Sequence, residues 1–353
     1  MTVDVRLYET AHPGDTSDLV RQLAGQDPAR IRRLALLVKT EGNAEVNDYS
    51  REYAMQSAAS AIERHGGRAL LDRSTFLFST GCEGAMTPFG YLFIDLDEPQ
   101  ARPTLPAALA MGCARSRSLS SAEIGTRLHA EITARSVADA MTDAQVSAAD
   151  VALVIVKTPV MSHLPGSAPA SRITSAHSKA VGALGAGLAL GEIDSARIVP
   201  AAFDTDHSLF ATRAMVFSGS ELDCVEIMLL ANRAGAAGRL VVRTGQLVDV
   251  LDAAGLRAMY AAAGCRFDAH GRVVDGERII ATMIKSGVAP DGRVRGRRTT
   301  IKSSHIDMDK HVRAAMSGVV GSILGDTRSF ISANTVHQAP PGGGLAACIV
   351  RQE

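Results

Sequence analysis

The sequence contains no tryptophan, and aromatic residues make up only 4% of its 353 positions. Proteins that bind single-stranded nucleic acids commonly stack the bases on aromatic rings, so this scarcity argues against such a role. Positive charge is not in excess either, because 37 Lys and Arg residues balance 37 Asp and Glu residues without an extended basic block. Binding to a phosphate backbone requires clustered positive charge. We therefore predict no nucleic-acid partner.

Signals for membrane insertion and export are also missing. No apolar run approaches the ~18 residues that a membrane span needs, and the segment MTVDVRLYET lacks the basic and apolar regions of a secretory signal. The five cysteines show no CxxC spacing, and the ten histidines form no HExxH motif. The cysteine pattern is typical of reduced thiols, and neither pattern indicates a zinc site. We expect a cytoplasmic protein with no membrane partner.

Three apolar runs of similar sequence each end in a lysine that is followed by a hydroxyl residue. The runs are LALLVK at Leu34–Lys39, VALVIVK at Val151–Lys157 and IIATMIK at Ile279–Lys285. Short apolar runs bounded by polar residues are typical of strands that are covered on both faces. Their recurrence at domain-sized intervals predicts repeated units, each with a lysine at the rim of a sheet.

The same order of features follows each of these lysines. A helix rich in small residues opens with a cation, and a strand ending in serine comes after the helix. The cations are Arg51, Lys179 and Arg313, and the serines are Ser79, Ser218 and Ser332. Small residues follow the serines, and their backbone N–H groups are suited to hold a developing oxyanion. These residues are Thr80, Gly219 and Ala333.

Strands that alternate with helices throughout the chain predict an α/β protein. The second connector lies near residues 234–238 or at a predicted turn at 244–246 that contains Gly245. With the later of these two places, unit A covers residues 1–103, unit B 104–247 and unit C 248–353. Glycines lower the stability of a helix. Their presence on the cation-bearing helices therefore indicates that these helices approach a neighbour closely.

Lysines and serines that converge on one site predict Ser–Lys catalysis. A lysine accepts the proton of a serine hydroxyl only when its amine is neutral, and burial and neighbouring cations both lower its pKa. Cations around a small cavity favour a planar, carbonyl-rich, acidic ligand. Each feature alone has an ordinary structural explanation, since serines at strand ends usually form turns or helix caps. The threefold recurrence in the same order favours the functional interpretation.

Longer motifs resemble one protein family along nearly the whole chain. They are KTEGNAEVNDYSR at Lys39–Arg51, STGCEG at Ser79–Gly84, ALGEI at 189–193, SELDC at Ser220–Cys224, DGRVRGRR at 291–298 and HQAPPGGG at 337–344. These segments are similar to the cyanuric acid hydrolase/barbiturase family of ring-opening amidohydrolases. The resemblance implies three structurally similar αβ units around a pseudo-threefold axis (a Toblerone-like fold), three Lys–Ser pairs around a central site, and a homotetramer.

Most of the family's site positions have a counterpart in this sequence. They are Lys39, Lys157, Lys285, Arg51, Arg313, Ser79 and Ser332, with Lys179 where cyanuric acid hydrolases carry arginine. In the family, the Ser–Lys pair of the second unit is held to perform the nucleophilic attack. Two registers compete there, because the ungapped family register selects Phe217 and the internal repeat selects Ser218. In the ungapped register, Ser79 or Ser332 would have to act as the nucleophile, or the chemistry would differ.

A structural cation of the family type lacks its carboxylate in this sequence. The family binds the cation with a Glu shortly after the third lysine and with carbonyls of a Gly-rich loop. In this chain Lys285 is followed by Ser286-Gly287-Val288, although the glycines at 342–344 remain. We predict no cofactor and no metal-binding residue. The loop carbonyls are the one feature that would suit a divalent cation.

We predict hydrolytic opening of a small anionic cyclic imide or ureide, of the barbiturate or cyanurate kind, at a C–N amide bond. Lys157 is the expected base and Ser218 the expected nucleophile, while the helix cations bind the substrate carbonyls. The alternative is a divergent relative that binds an anionic cyclic ligand or performs different chemistry, because Phe217 displaces the serine of the second unit. A structural oligomer with an inert axis is disfavoured, since facing cations are costly without anions.

Overall fold

Three four-stranded sheets with the same strand order form the body of the protein. The computed structural model describes residues 1–43, 48–98, 102–103, 105–160 and 174–352. Numbered along the chain, the four strands of each sheet lie in the order first, fourth, second and third. The second and third strands are parallel, and the other neighbours are antiparallel. A helix connects each parallel pair, because parallel strands need a long crossover.

The first unit has the element order β-α-β-α-β-β. Its elements are β1 (Thr2–Glu9), α1 (Ser17–Leu23), β2 (Ile31–Thr40), α2 (Ser50–Leu71), β3 (Ser74–Thr80) and β4 (Phe89–Leu96), with a 3-10 turn at Pro28–Arg30. The predicted apolar run is strand β2, and Lys39 lies near its carboxyl end. Arg51 is the second residue of α2, as the sequence predicted for a cation that opens a helix.

The second unit repeats this order. Its elements are β5 (Ala107–Arg115), α3 (Arg127–Ala144), β6 (Val151–Pro159), α4 (Ser175–Ala189), β7 (Ala214–Gly219) and β8 (Glu226–Ala234), with 3-10 turns at Ser195–Arg197 and Pro200–Ala202. A glycine on α4 allows this helix to approach α3 closely. A Cβ atom added at Gly185 would lie 2.3 Å from the carbonyl oxygen of Ala130. The predicted close approach of the small-residue helix is confirmed at this position.

The third unit begins earlier than the sequence predicted. Its elements are β9 (Leu240–Leu247), α5 (Ala253–Ala262), β10 (Ile279–Ser286), β11 (Arg293–Val294), β12 (Arg297–Arg298), α6 (Met308–Leu324), β13 (Phe330–Ala333) and β14 (Gly344–Arg351), with a 3-10 turn at Gly276–Arg278. A boundary between residues 247 and 248 assigns β9 to the second unit, which is wrong, because β9 pairs with β14 along its whole length. Gly245 suggested a turn. It instead lets the strand lie against α5, where a Cβ atom would be 3.0 Å from the Cβ of Met259.

The inner faces of the three sheets meet in one apolar cluster, which we call the axial core. It includes Leu37, Leu77, Ile155, Met215, Phe217, Met283 and Phe330. Side chains two residues apart on a strand point to the same face. The three strand-end lysines follow members of the axial core at this spacing, and they are Lys39, Lys157 and Lys285. The pleat of the strands therefore directs all three lysines toward the shared axis.

The outer face of each sheet packs against the helices of its own unit. In the first unit, Leu36 and Val38 of β2 contact the cluster that contains Ile62 of α2. In the second unit, Val156 and Val216 share a cluster with residues of α3 and α4. The strands are thus covered on both faces, as their continuous apolar sequences predicted. Among the helices of the described residues, none combines the length and the apolar character that crossing a membrane would require.

Candidate active site

Two lysine–serine pairs form where parallel strands lie side by side. Lys39 is opposite Ser79 across β2 and β3, and Lys285 is opposite Ser332 across β10 and β13. The Nζ–Oγ distances are 3.1 Å and 3.0 Å, which are hydrogen-bonding distances. Both lysines are fully buried. Two of the three predicted pairs are therefore assembled at the ends of the strands.

The predicted pairing of Lys157 with Ser218 is wrong, because β7 adopts the other register. Lys157 lies opposite Phe217, and Ser218 is one place further along the strand. Since successive residues of a strand point to opposite faces, the Phe217 ring faces the axis and the Ser218 hydroxyl faces α4. The Ser218 Oγ is 2.7 Å from the Oγ of Ser175. The Nζ of Lys157 lies 5.4 Å from the centre of the Phe217 ring.

Lys157 is surrounded by acceptors other than a serine hydroxyl. Its Nζ lies 2.6 Å from a carboxylate oxygen of Glu221. It also donates to the carbonyl oxygens of Phe78, at 2.6 Å, and Ser218, at 3.1 Å. The two carbonyl oxygens accept hydrogen bonds from the ammonium ion, and the carboxylate supplies the opposite charge. Burial lowers the pKa of Lys157 to about 8, and Glu221 opposes this shift. The structure thus holds Lys157 in an ion pair.

Each cation on a helix contacts a carboxylate of a different unit, in a cyclic order. The pairs are Arg51–Glu221 at 3.4 Å, Lys179–Asp309 at 3.3 Å and Arg313–Glu83 at 2.8 Å. The sequence patterns did not indicate these carboxylates at the site. Two of the carboxylates stand four residues after the start of STGCE and FSGSE, which end equivalent strands. That repeat could have revealed them, whereas Asp309 has no counterpart of this kind.

The two lysines that face serines have lowered pKa values. Burial lowers the pKa of Lys39 to about 7, and the nearby guanidinium of Arg313 contributes to this shift. Burial also lowers the pKa of Lys285 well below its usual value, with a contribution from the Lys179 ammonium. A neutral amine accepts a proton, so both lysines are electrostatically prepared to act on a neighbouring hydroxyl.

A cavity of about 220 Å³ lies above the strand ends. The predicted residues that line it are Arg51, Ser79, Thr80, Lys179, Ser218, Arg313 and Ser332. The cavity is also lined by residues that were not predicted for its wall, namely Asn43, Ser175, Phe217, Asp307, Asp309 and Lys310. The three strand-end lysines lie beneath this lining and are fully buried. The sequence therefore predicted about half of the cavity wall and the layer of lysines below it.

The residues that follow the serines make contacts through their carbonyl groups. The carbonyl oxygen of Thr80 accepts a hydrogen bond from Lys39 at 3.0 Å, and that of Ala333 accepts one from Lys285 at 2.7 Å. The Gly219 carbonyl accepts from the backbone N–H of Val160 at 3.0 Å. The carbonyls of Thr80 and Ala333 help to hold Lys39 and Lys285 in place. An oxyanion role for the N–H groups of Thr80, Gly219 and Ala333 stays a prediction.

Comparison with known proteins gives this geometry a family context. The family model described as amidohydrolase ring-opening protein matches residues 4–351. The chain belongs to this family. A cyclic amide hydrolase of Azorhizobium caulinodans is 32% identical over 99% of this chain and 100% of its own length. A cyanuric acid amidohydrolase of Pseudonocardia dioxanivorans is 33% identical over 99% of this chain and 98% of its own length.

Solved structures of the ring-opening amidohydrolase family have the same fold. A structure described as "Cyanuric acid hydrolase: evolutionary innovation by structural concatenation" aligns with a TM-score of 0.89 at 31% identity, covering 99% of both chains. A second, the cyanuric acid hydrolase of A. caulinodans, aligns with a TM-score of 0.88 at 30% identity, also over 99% of both chains. The predicted family, the class of enzyme and the three-unit α/β architecture are confirmed. The predicted homotetramer and cytoplasmic location stay predictions.

The surroundings of the third lysine do not supply the carboxylate of the family's structural cation. Ser286 and Gly287 follow Lys285, and a Cβ atom at Gly287 would lie 2.0 Å from the hydroxyl oxygen of Thr335. Within the described residues, no cluster of three His, Cys, Asp or Glu side chains is suited to a metal ion. We therefore assign no role to a cation, and the predicted lack of a cofactor stays a prediction.

Proposed function

We propose that this protein hydrolyses a small planar cyclic imide or ureide and thereby opens its ring, with Ser79 as the nucleophile and Lys39 as the general base. The observation that carries the proposal is the contact between Lys39 Nζ and Ser79 Oγ, 3.1 Å apart at the floor of a cation-lined cavity. A base works best when its pKa lies near the operating pH. The pKa of about 7 at buried Lys39 meets this requirement.

The other two units are less suited to start the reaction. Lys157 has no serine beside its amine, and Glu221 holds it as an ion pair. Lys285 donates to two carbonyl oxygens, those of Val216 and Ala333, both at 2.7 Å. Lys39 donates to a single carbonyl oxygen, that of Thr80, so its amine is less engaged by the backbone than that of Lys285. We assign the Lys285–Ser332 pair to binding a second polar edge of the substrate ring.

The reaction proceeds in two stages that both use Lys39. Ser79 Oγ attacks a ring carbonyl carbon while its proton passes to Lys39 Nζ, and an oxyanion forms. The C–N bond of the ring then breaks, and Lys39 returns the proton to the leaving nitrogen, which gives an open-chain ester on Ser79. Water attacks this ester with Lys39 again as the base, and the ring-opened carboxylic acid leaves.

Arg51, Lys179 and Arg313 bind the carbonyl oxygens of the ring and stabilise the negative charge that develops on them. Arg313 donates to Glu83 through Nε and Nη2, which leaves Nη1 for a ring carbonyl. Arg51 faces Glu221 through Nε and donates to the Ser218 carbonyl through Nη1, which leaves Nη2. Their carboxylate partners fix the direction of each side chain. They also limit the net positive charge of the cavity, so the ligand need not carry a full negative charge.

Steady-state hydrolysis tests the proposed function. Purified protein should open at least one ring among cyanuric acid, barbituric acid, hydantoins and dihydropyrimidinediones, with the ring-opened acid identified by mass spectrometry. Absence of turnover by folded protein with all of them would overturn the proposal. The aromatic ring of Phe217 at a serine position favours a second candidate, a ligand-binding relative. Calorimetric binding of such a ring without turnover would support that candidate.

The pH dependence of kcat/KM should report the titration of Lys39. The protonated amine cannot accept the serine proton, so activity requires the neutral form. With a pKa of about 7, kcat/KM should fall about tenfold per pH unit below pH 7 and level off above it. The assay uses a substrate that does not ionise between pH 5 and 9, and circular dichroism verifies folding across this range. A kcat/KM that still rises about tenfold per pH unit at pH 9 would show that Lys39 has an ordinary pKa, and it would contradict the proposed role.

A further inference from the structure

We propose that Phe217 makes this cavity selective for cyclic imides and ureides that carry a saturated carbon edge, over rings whose edges consist entirely of carbonyl and N–H groups. This inference rests on the proposed function, because a preference in kcat/KM requires that the bound ring is hydrolysed. Its physical basis is the polarity of the cavity wall, which differs among the three units.

Equivalent strand positions present different groups to the cavity. Ser79 and Ser332 each present a hydroxyl with a lysine amine about 3 Å behind it. The equivalent position of the second unit presents the aromatic ring of Phe217. A ligand with three equivalent polar edges would require three similar corners. This cavity instead offers two polar corners and one apolar corner.

The Phe217 ring that forms the apolar corner is held in place by its packing in the axial core. Phe217 is 3% exposed and belongs to the axial core. Its ring packs against Phe330, with 5.4 Å between the ring centres. Lys157, which lies behind the ring, is engaged by Glu221 and by two backbone carbonyls. A carbonyl or N–H group of a ligand at this corner would therefore lose water and meet hydrocarbon, which is unfavourable.

A methylene group or an alkyl-bearing carbon fits the same corner without this penalty. The adjoining carbonyl and N–H groups of such a ring would face the two hydroxyls and the helix cations. An apolar cavity of ~150 Å³ holds benzene, so a cavity of about 220 Å³ accommodates one small ring with its exocyclic oxygens. Dihydropyrimidinediones, hydantoins and glutarimides are of this class. An apolar pocket typically discriminates between such ligands by ~10- to 100-fold.

The comparison of 5,6-dihydrouracil with cyanuric acid tests this inference on rings of equal size. Wild-type protein should show a kcat/KM at least about tenfold higher for dihydrouracil. Phe217→Ser should lower this ratio at least about tenfold, because it removes the apolar face and places a hydroxyl in front of Lys157. Phe217→Leu is the matched control that retains an apolar side chain, and it should keep the preference. If Phe217→Ser does not fold, the ratio of kcat/KM for dihydrouracil to that for cyanuric acid is still measured in wild-type protein and Phe217→Leu. A ratio below one in both would overturn the inference.

Calorimetric binding of both rings to Ser79→Ala, with and without Phe217→Ser, separates this inference from the proposed function. A binding preference for dihydrouracil that Phe217→Ser abolishes would uphold the inference even if no variant turns the ring over. Turnover with a higher kcat/KM for cyanuric acid, or a preference that Phe217→Ser leaves unchanged, would overturn the inference and leave the proposed function standing. Failure of both rings to bind would overturn the inference as well.

Discussion

Replacing Ser79 by alanine is expected to lower kcat for ring opening by roughly 10⁴-fold. The substitution removes the attacking oxygen, while Lys39 and the helix cations remain in place. Rapid-quench and steady-state assays on the same substrate would measure the loss. Mass spectrometry of wild-type protein, trapped during turnover, should show the mass of a ring-opened acyl group on the peptide that contains Ser79. The same peptide from Ser79→Ala should carry no such group.

Ser332→Ala is the matched control for this result. It removes the hydroxyl of an equally buried Ser–Lys pair, with an Nζ–Oγ distance of 3.0 Å against 3.1 Å for Lys39 and Ser79. Because we assign Ser332 to substrate binding, its loss should raise KM and lower kcat by less than about 100-fold. A nearly inactive Ser332→Ala protein together with an active Ser79→Ala protein would reverse the two roles. It would place the nucleophile in the third unit.

Glu221→Ala should destabilise the folded protein by about 3–5 kcal/mol at pH 7. Glu221 lies 2.6 Å from Lys157, and their side chains are 2% and 0% exposed. Without the carboxylate, Lys157 keeps an uncompensated charge in the protein interior or gives up its proton. Either outcome costs free energy of folding. Urea unfolding followed by circular dichroism would measure the change in the free energy of unfolding.

The free energy of unfolding should depend on pH differently in the wild-type protein and in Glu221→Ala. Burial raises the pKa of the Glu221 carboxylate, but Lys157 and Arg51 outweigh this effect, so the pKa is lowered in the folded state. Glu221 therefore stabilises the wild-type fold above its unfolded pKa, and this contribution is lost as pH falls. In the variant, the pKa of Lys157 should fall below its present value of about 8. Stability of the variant should therefore recover as pH rises toward the ordinary pKa of lysine, because the unfolded chain then binds more protons.

An exposed ion pair provides the control for Glu221→Ala. Glu131 lies 2.9 Å from Arg127 on α3, with side chains 41% and 45% exposed. Solvent screens such a pair, so Glu131→Ala should cost under about 1 kcal/mol. Equal losses for the two substitutions would show that the Lys157–Glu221 pair does not hold the axis together.

Much of the architecture could be predicted because the chain repeats itself. The apolar runs that end in lysine and the strands that end near serine are local patterns, and the structure contains all of them. The predicted helix openings are correct only for Arg51, because α4 begins at Ser175 and α6 at Met308, before Lys179 and Arg313. Ser79 and Ser332 reach their lysines because parallel pairing brings equivalent strand ends together. The boundary of the third unit was missed because Gly245 resembles a turn, whereas in the structure it allows a helix to pack on β9.

The family, the three-unit α/β fold and the cations of the site could be predicted from sequence patterns alone. The choice between Phe217 and Ser218 required the folded structure. The strand Ala214–Gly219 is buried on both faces, so its apolar residues show no alternation that would reveal which side chain faces inward. The cyclic contacts between helix cations and the carboxylates of Glu83, Glu221 and Asp309 likewise depend on how the units assemble. Such contacts join residues far apart in the chain, and no local pattern encodes which charge will meet which.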